Sequence, residues 1–514
     1  MKTDIAPPRP STTRPVPLAE LAAAMAPDGG RLRAGDSGTV VTGVTLRAQQ
    51  VRPGDLFAAL PGARSHGADF AADALAAGAV AVLTDPAGAR RPALAEGVPL
   101  LVQDEPRRVL GRLSSLVYGN PSIRLSVIGI TGTAGKTTTS HLVAAGLASA
   151  GHTTGLIGTV QTMIAGERLD SAFTTPEAPD LQALLALMAE RGVSHVAMEV
   201  SSHGLALGRA DGTTFAVGAF TNLSQDHLDF HADLEDYFAA KARLFDGRAA
   251  AEVVCVDSEW GRRLVRDHTI TVSSTEPGAA TWWADNVEVA PGGAQAFDVH
   301  GPGGFTHRLV SRLPGSFNVA NTLVALACVG AVGADVALAA PAIADVDVAG
   351  RMERVRRGQD FVAIVDYAHK PAAVAAVLDA VRAQHPSARV AVVLGCGGDR
   401  DTEKRAMMGA EAASRADLLV VTDDNPRSED PAAIRAAMLA GALGLPAALR
   451  RGDLLEIGDR RAAIRAAVAW ASPGDVVVIA GKGHEAGQEI AGVVYPFADR
   501  DELAAAIDER IGRA

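Results

Sequence analysis

An apolar run, Ser126-Val-Ile-Gly-Ile130, passes without a break into Thr131-Gly-Thr-Ala-Gly-Lys-Thr-Thr138, and a helix-compatible stretch from Lys136 to Ala150 follows. No other segment constrains the fold as strongly. A strand that runs through a glycine turn into a helix belongs to a parallel sheet covered by helices. The turn also carries chemistry. Glycines let backbone N–H groups curl round phosphate oxygens, and the helix N-terminus adds partial positive charge. Lys136 is then placed to reach terminal phosphates, and Thr137 to offer its hydroxyl to Mg2+. Ile130 stands where the longer G-x-x-x-x-G-K-[ST] pattern has its first glycine, so the shorter G-T-x-G-K-T form remains. A purely structural turn is the bland alternative; the order strand, loop, helix favours a nucleotide.

The rest of the chain repeats the same rhythm. At 514 residues it is too long for one ordinary domain. Tyr118-Gly-Asn-Pro121 breaks the pattern after a first block, and Ala349-Gly-Arg351 opens a third. The expected organisation is α/β in three domains: 1–121, a small α/β domain; 122–348, a parallel-sheet domain with the phosphate loop; and 349–514, a Rossmann-like domain. The second block is expected to close with an apolar helix from Asn318 to Val332. The stretch Leu323 to Ala334 is too short to span a bilayer, and Met1 to Pro17 lacks the apolar core of a signal peptide. A formal charge of −11 without basic blocks argues against nucleic acid, and Cys255, Cys328 and Cys396 lie in no metal-ligand spacing. A reducing, cytoplasmic setting is expected. Of 48 basic residues only Lys2, Lys136, Lys241, Lys370, Lys404 and Lys482 are lysine. A chain so sparing of lysine keeps it where an ammonium, or an amine able to lose its proton, is needed.

Two further strand ends are rich in polar groups. His195-Val-Ala-Met-Glu-Val-Ser-Ser-His-Gly204 places Glu199 at the carboxyl edge of a strand, where open α/β sheets bind ligands and where Mg2+ finds carboxylates. Asn222-Leu-Ser-Gln-Asp-His-Leu-Asp-Phe-His231 puts two histidines and two aspartates within six residues. Such a loop is either solvated or functional.

The phosphate loop resembles that of the Mur ligases and folylpolyglutamate synthetases, although most members carry Asn where this chain has Ala134. The two strand-end segments resemble the Mur motifs M-E-V-S-S-H and T-N-L-x-x-D-H-L-D-x-H. Tyr237-Phe-Ala-Ala-Lys-Ala-Arg-Leu-Phe245 resembles Y-x-x-A-K-x-x-L-F. The resemblance implies ATP binding by Gly132, Thr133, Ala134, Gly135, Lys136, Thr137 and Thr138, and a catalytic set of Lys136, Lys241, Glu199 and His227. It implies two Mg2+ ions, one on Glu199 and His227 and one on Thr137, with Asp226 and His231 supporting the loop. Lys241 is implied to be carbamylated and to ligate Mg2+ through the carbamate. Carbamylation needs a neutral amine, and since an ordinary lysine titrates near 10.4, burial or a nearby cation must favour that form. Taken without the resemblance, Lys241 reads as a surface lysine of an amphipathic helix that buries Phe238 and Phe245.

The same family supplies expectations for substrates. Phe173-Thr-Thr-Pro176 resembles the T-T-P loop, so Thr174 and Thr175, with Ser201 and Arg209, are implied to hold a UDP-linked muramoyl dipeptide. Leu207 stands where Gln is frequent. Val41-Thr-Gly-Val-Thr45 and Pro53-Gly-Asp-Leu-Phe57 resemble the UDP-binding domain of MurE-type members, but Arg47-Ala48-Gln49 replaces the usual Asp-Ser-Arg; His66-Gly67 is implied to lie near the nucleotide. Gly315-Ser-Phe-Asn-Val-Ala-Asn321 matches G-x-x-N-x-x-N, implying Asn318 near adenine, while both asparagines equally suit helix caps. Arg351, in Gly350-Arg-Met-Glu353, and Asp366, in Asp366-Tyr-Ala-His-Lys-Pro371, are implied to reach ATP across the domain boundary.

Gly395-Cys-Gly-Gly-Asp-Arg400, Asp424-Asn-Pro-Arg427 and Gly481-Lys-Gly-His-Glu485 each follow an apolar strand, so all three should meet at one sheet edge. Arg400 and Arg427 suit carboxylates and Glu485 suits an ammonium. Asp424, Asn425, Pro426 and Arg427 resemble the MurE version that selects meso-diaminopimelate, with Gly481 alongside. Over roughly residues 38 to 505 the resemblance implies an ATP-dependent amide-bond ligase of peptidoglycan precursor synthesis, monomeric, acting on small molecules without membrane insertion. L-Lysine as the amino acid, another Mur or folylpolyglutamate activity, a nucleotide switch, or a binding module are the alternatives.

Overall fold

Apolar strands alternating with helices assemble three larger sheets, each from its own stretch of chain. The structure, a computed structural model, describes residues 8–62, 65–94, 97–169, 174–290 and 293–513. Lys2, the first seven residues of the N-terminal stretch, and Phe173 lie outside them. The first sheet orders Arg31–Ala34, Leu100–Val102, Ala81–Thr84, Asp55–Ala59 and Gly43–Thr45. All its pairs are parallel except that of Arg31–Ala34 with Leu100–Val102.

The central sheet has eleven strands. Seven neighbours, from Thr154–Ile157 to Trp282–Val289, are parallel, with Ser126–Thr131 between His195–Glu199 and Phe215–Phe220. Both margins differ from the expected β/α rhythm. Thr162–Ile164 and Glu167–Leu169 on one side, and Gln295–Gly301 and Phe305–Ser311 on the other, are antiparallel. Short connections link these margin strands, so no crossover helix is needed. The expected closing helix is Phe317–Ala331, but a second helix, Val336–Ala344, follows and packs on it and on Lys136–Ser149. Leu323 to Val329 are all buried, so the most apolar stretch of the chain is core of this layer. Among the described residues no helix is long and apolar enough to cross a membrane.

The third sheet orders Glu353–Arg354, Val362–Asp366, Val476–Ala480, Val390–Leu394, Leu418–Val421 and Asp453–Glu456, parallel except at Glu353–Arg354. Parallel neighbours deliver successive loops to one edge, and a hairpin of Gly487–Ile490 and Val493–Pro496 extends it by pairing with Arg427. Beneath that edge lies a fully buried ion pair. Arg460 Nε and Nη2 each donate to a different oxygen of Asp499 at 2.7 Å, and Nη2 also reaches Ala480 O at 2.9 Å. Breaking one side of such a pair strands a charge in the core, at about 3–5 kcal/mol, whereas apolar replacement of both partners costs far less. Asp499→Ala should therefore lose about 3–5 kcal/mol in urea unfolding, and Arg460→Met/Asp499→Leu should lose less than the single change. The reverse order would refute this account of the edge.

Candidate active site

The phosphate loop leaves Ser126–Thr131 at the carboxyl edge, flanked by the ends of His195–Glu199 and Phe215–Phe220. Gly132 takes φ 145° and has no room for a side chain, since a Cβ there would lie 2.0 Å from Thr221 Oγ1. Three lysine side chains converge on two carbonyls of the loop. Lys136 Nζ donates to Gly132 O at 2.7 Å and Thr133 O at 3.0 Å. Lys241 Nζ donates to Gly132 O at 2.8 Å, and Lys370 Nζ to Thr133 O at 2.9 Å. Lys241 is not the surface residue that its helix alone suggests: it is buried, with its nitrogen 4.4 Å from the centre of the Tyr237 ring. Burial first, then the charges of Lys136 and Lys370, push its pKa well below that of an ordinary lysine. Burial and Lys370 likewise bring Lys136 down to about 7, against the pull of Glu199 and Asp226.

Glu199 is buried beside the loop. Its oxygens accept from Thr137 Oγ1 (3.0 Å), Thr159 N (2.7 Å) and Thr159 Oγ1 (3.1 Å). A buried carboxylate whose hydrogen-bond donors here are hydroxyls and an amide, next to a threonine hydroxyl, is a donor set that suits a hard divalent cation. His227 sits at φ 56° in its loop, its Nε2 3.0 Å from Asp226 Oδ2. Lys370 Nζ approaches the same oxygen at 2.8 Å. Burial alone would push the Asp226 carboxyl up, but Lys370 and His227 outweigh it and hold it well below the usual carboxylate range. His231 pairs with Asp236 at 3.0 Å, so both expected supporting residues brace this loop.

The residues expected to hold a peptide cluster on the next side. Thr174 Oγ1 lies 2.9 Å from Thr159 Oγ1. Thr175 Oγ1 is 3.1 Å from Ser201 Oγ and from Glu199 O. Arg209 pairs with Glu177 at 2.8 Å and leans on Thr175 O. Ser201 also caps the helix Ser202–Ala206 by accepting from Gly204 N.

Of the residues expected at ATP, Arg351 reaches the loop and two are engaged elsewhere. Arg351 stacks on Tyr367 and donates to Thr137 Oγ1 at 3.1 Å, while its Nε is buried without a hydrogen-bond partner. Asn318 donates to Pro314 O at 2.7 Å and accepts from Asn321 at 2.9 Å, so its amide holds the turn into its own helix. Asp366 spends both oxygens on Met352 N and Ala368 N, each at 2.7 Å. Here it pins the boundary turn, and burial raises its pKa.

The three glycine- and acid-containing loops meet at one edge of the third sheet, as their spacing predicts. Arg427, at φ 53°, donates to Gly398 O at 2.5 Å and approaches Glu489 at 3.6 Å. Arg400 is exposed. Glu485 is not a solitary carboxylate: Lys482 Nζ lies 3.0 Å and Asn425 Nδ2 2.9 Å from its Oε2. Asp424 is buried 3.8 Å from Lys482, and Gly481 takes φ 114° beside it. Lys482 is fully buried, a role its motif does not reveal. Thr159, Lys370 and Arg460 are likewise placed by the fold, and rarity of lysine was the one signal pointing at Lys370.

Three family models match in chain order: the Mur ligase family, catalytic domain at 40–118, the Mur ligase middle domain at 130–329, and the Mur ligase, glutamate ligase domain at 350–483. The chain is 54% identical over 511 residues to the UDP-N-acetylmuramoyl-L-alanyl-D-glutamate–2,6-diaminopimelate ligase of Streptomyces coelicolor, covering 98% of this chain and 99% of that one. It is 42% identical to the UDP-N-acetylmuramyl-tripeptide synthetase of Leifsonia xyli, covering 98% and 99%. A solved structure named as a diaminopimelate ligase of the first kind superposes with a TM-score of 0.65 at 31% identity, covering 97% and 100%. A Thermotoga maritima MurF ligase solved with ADP, 18% identical with a TM-score of 0.62 and covering 92% and 98%, shares the fold. The chain belongs to the Mur ligase family and, within it, to the MurE type.

Proposed function

We propose that this chain is an ATP-dependent amide-bond ligase of the cytoplasm, joining meso-diaminopimelate to the D-Glu γ-carboxylate of UDP-MurNAc-L-Ala-D-Glu through an acyl phosphate. One observation carries the reading: Arg351 and Lys370, from the segment that bears the amino-acid pocket, both touch the phosphate loop. An activated carboxylate formed at that loop would face an amine delivered from the adjoining segment. We divide the labour at 121/122 and 348/349, with the UDP moiety on the first unit, ATP on the second and the amino acid on the third.

Lys136 and Arg351 neutralise the transferred phosphoryl group; an anion beside Lys136 restores the proton that burial disfavours. Glu199 and His227 would hold one Mg2+ and Thr137 a second, with a carbamate on Lys241 as a further ligand, and the metal would supply charge neutralisation. The low pKa of Lys241 supports this modification, because the neutral amine forms the N–C bond to CO2 and releases a proton. Thr174, Thr175, Ser201 and Arg209 hold the peptide so that its carboxylate faces the loop. Arg400 and Arg427 take the distal carboxylate of diaminopimelate, and Glu485, shared with Lys482, its ammonium. L-Lysine lacks that carboxylate and would leave Arg427 with only its protein partners, Gly398 O and Glu489.

Phosphate release from ATP with the UDP-muramoyl dipeptide tests the reading. Meso-diaminopimelate should stimulate it strongly, L-lysine weakly, and omission of the amino acid should leave only background. Release indifferent to any amino acid would overturn the ligase assignment, and preference for lysine would overturn the role of Arg427. Lys241→Arg should reduce ligation to background, because guanidinium forms no carbamate; near-normal turnover would remove that role. Arg427→Ala should raise the KM for diaminopimelate by about 10- to 100-fold, the worth of a charged hydrogen bond, and leave that for ATP within about twofold. Equal effects on both would refute the pocket.

A further inference from the structure

Lys370 belongs to neither the phosphate loop nor the amino-acid pocket, yet its side chain crosses from one segment to the other. It sits in the turn before helix Pro371–Gln384, and that turn is rigidly built: Asp366 binds Met352 N and Ala368 N, and His369 Nδ1 lies 2.7 Å from Tyr367 O. From there the ammonium of Lys370, a residue only 7% exposed, reaches two groups of the central segment. It lies 2.9 Å from Thr133 O, which Lys136 also uses, and 2.8 Å from Asp226 Oδ2, the oxygen that His227 approaches. Asp226 is only 2% exposed. Removing Lys370 would leave that carboxylate buried with His227 as its remaining close partner, an arrangement of high cost unless the loop moves.

We propose that Lys370 is a positioning residue that makes phosphoryl transfer depend on docking of the amino-acid-binding segment. Docking brings one ammonium onto Thr133 O and Asp226 together, and so sets Lys136 and His227 in a single act. Withdrawal of the segment removes that partner from both. The phosphate loop is then correctly set only when the segment that supplies the attacking amine is in place, which limits formation of an acyl phosphate with nothing to accept it. This rests on the ligase reading above. A merely structural bridge would stabilise the chain without separating kcat from KM.

The test uses the full chain as wild type, Lys370→Met, Lys370→Arg, Asp226→Asn and the Lys370→Met/Asp226→Asn double variant, with ATP, UDP-muramoyl dipeptide and meso-diaminopimelate. Lys370→Met should lower kcat by about tenfold or more while the KM for diaminopimelate stays within about twofold, and Lys370→Arg should recover part of the loss. In the Asp226→Asn background Lys370→Met should cost less than it does alone, because the charge pair is already gone and only the bond to Thr133 O remains to be lost. Hydrogen exchange of a peptide spanning 131–138 should quicken in Lys370→Met. Unchanged kcat in Lys370→Met, or losses that simply multiply in the double variant, would overturn the proposal. If the wild type showed no amino-acid-dependent phosphate release, the ligase reading would fall on its own. Unchanged exchange of 131–138 in Lys370→Met would then overturn the docking role separately.

Discussion

Two peptide carbonyls, those of Gly132 and Thr133, accept hydrogen bonds from three lysine side chains, two of them buried. Like charges so close in a low-dielectric setting repel. The depressed pKa values of Lys136 and Lys241 register that tension. Asp226 and Glu199 relieve it in part, and polyphosphate would relieve it further. A chain with net charge −11 thus concentrates positive potential at one loop. The elements around the loop can be understood as what holds these lysines in place: a helix N-terminus for Lys136, the helix Leu234–Ala242 for Lys241, and a turn of the third sheet for Lys370.

Parallel strands then do for the third segment what the lysines do for the second. Because Val476–Ala480 lies between Val362–Asp366 and Val390–Leu394, with Leu418–Val421 next, four loops distant in sequence emerge side by side. Arg460, held by Asp499, ties two of them from below through Ala480 O and Asp423 O. The same edge faces the phosphate loop through Arg351 and Lys370. Pocket and loop are consequently neighbours because of strand order, and side-chain chemistry is added to a juxtaposition the backbone already makes.

Much of this is legible in the amino-acid order, and the exceptions share a cause. The core strands around 126–131, 195–199, 390–394 and 476–480 are short, apolar and bounded by glycine or acidic turns, so type and position follow from pattern. Asp453–Glu456 is a four-residue edge strand with mostly exposed side chains, and the antiparallel margin strands pair through hairpins; neither carries the continuous apolar signal of a buried strand. Charged residues mislead most. Arg460, Lys241 and Lys482 are among the largest fully buried side chains, yet each has a remote partner: Asp499 is 39 residues from Arg460, Gly132 is 109 from Lys241 and Asn425 is 57 from Lys482. Motifs locate Asn318 and Asp366 at the boundary, but which hydrogen bonds they spend is decided by tertiary neighbours. A residue type announces what a group can do, and only the fold says with whom.

The hairpin beside the amino-acid pocket has a consequence for how such pockets diverge. Arg427 N donates to Glu489 O, and Arg427 O accepts from Ala491 N. The path of the main chain at this position is therefore secured by peptide groups, at a φ of 53° that glycine, asparagine and aspartate adopt most readily. The side chain adds its own bond to Gly398 O, but the pairing with the hairpin is made by the main chain. On the ligase reading proposed above, a replacement that tolerates this backbone conformation would exchange the group offered to the amino acid while the peptide bonds to the hairpin persist, so selectivity could shift at a single position.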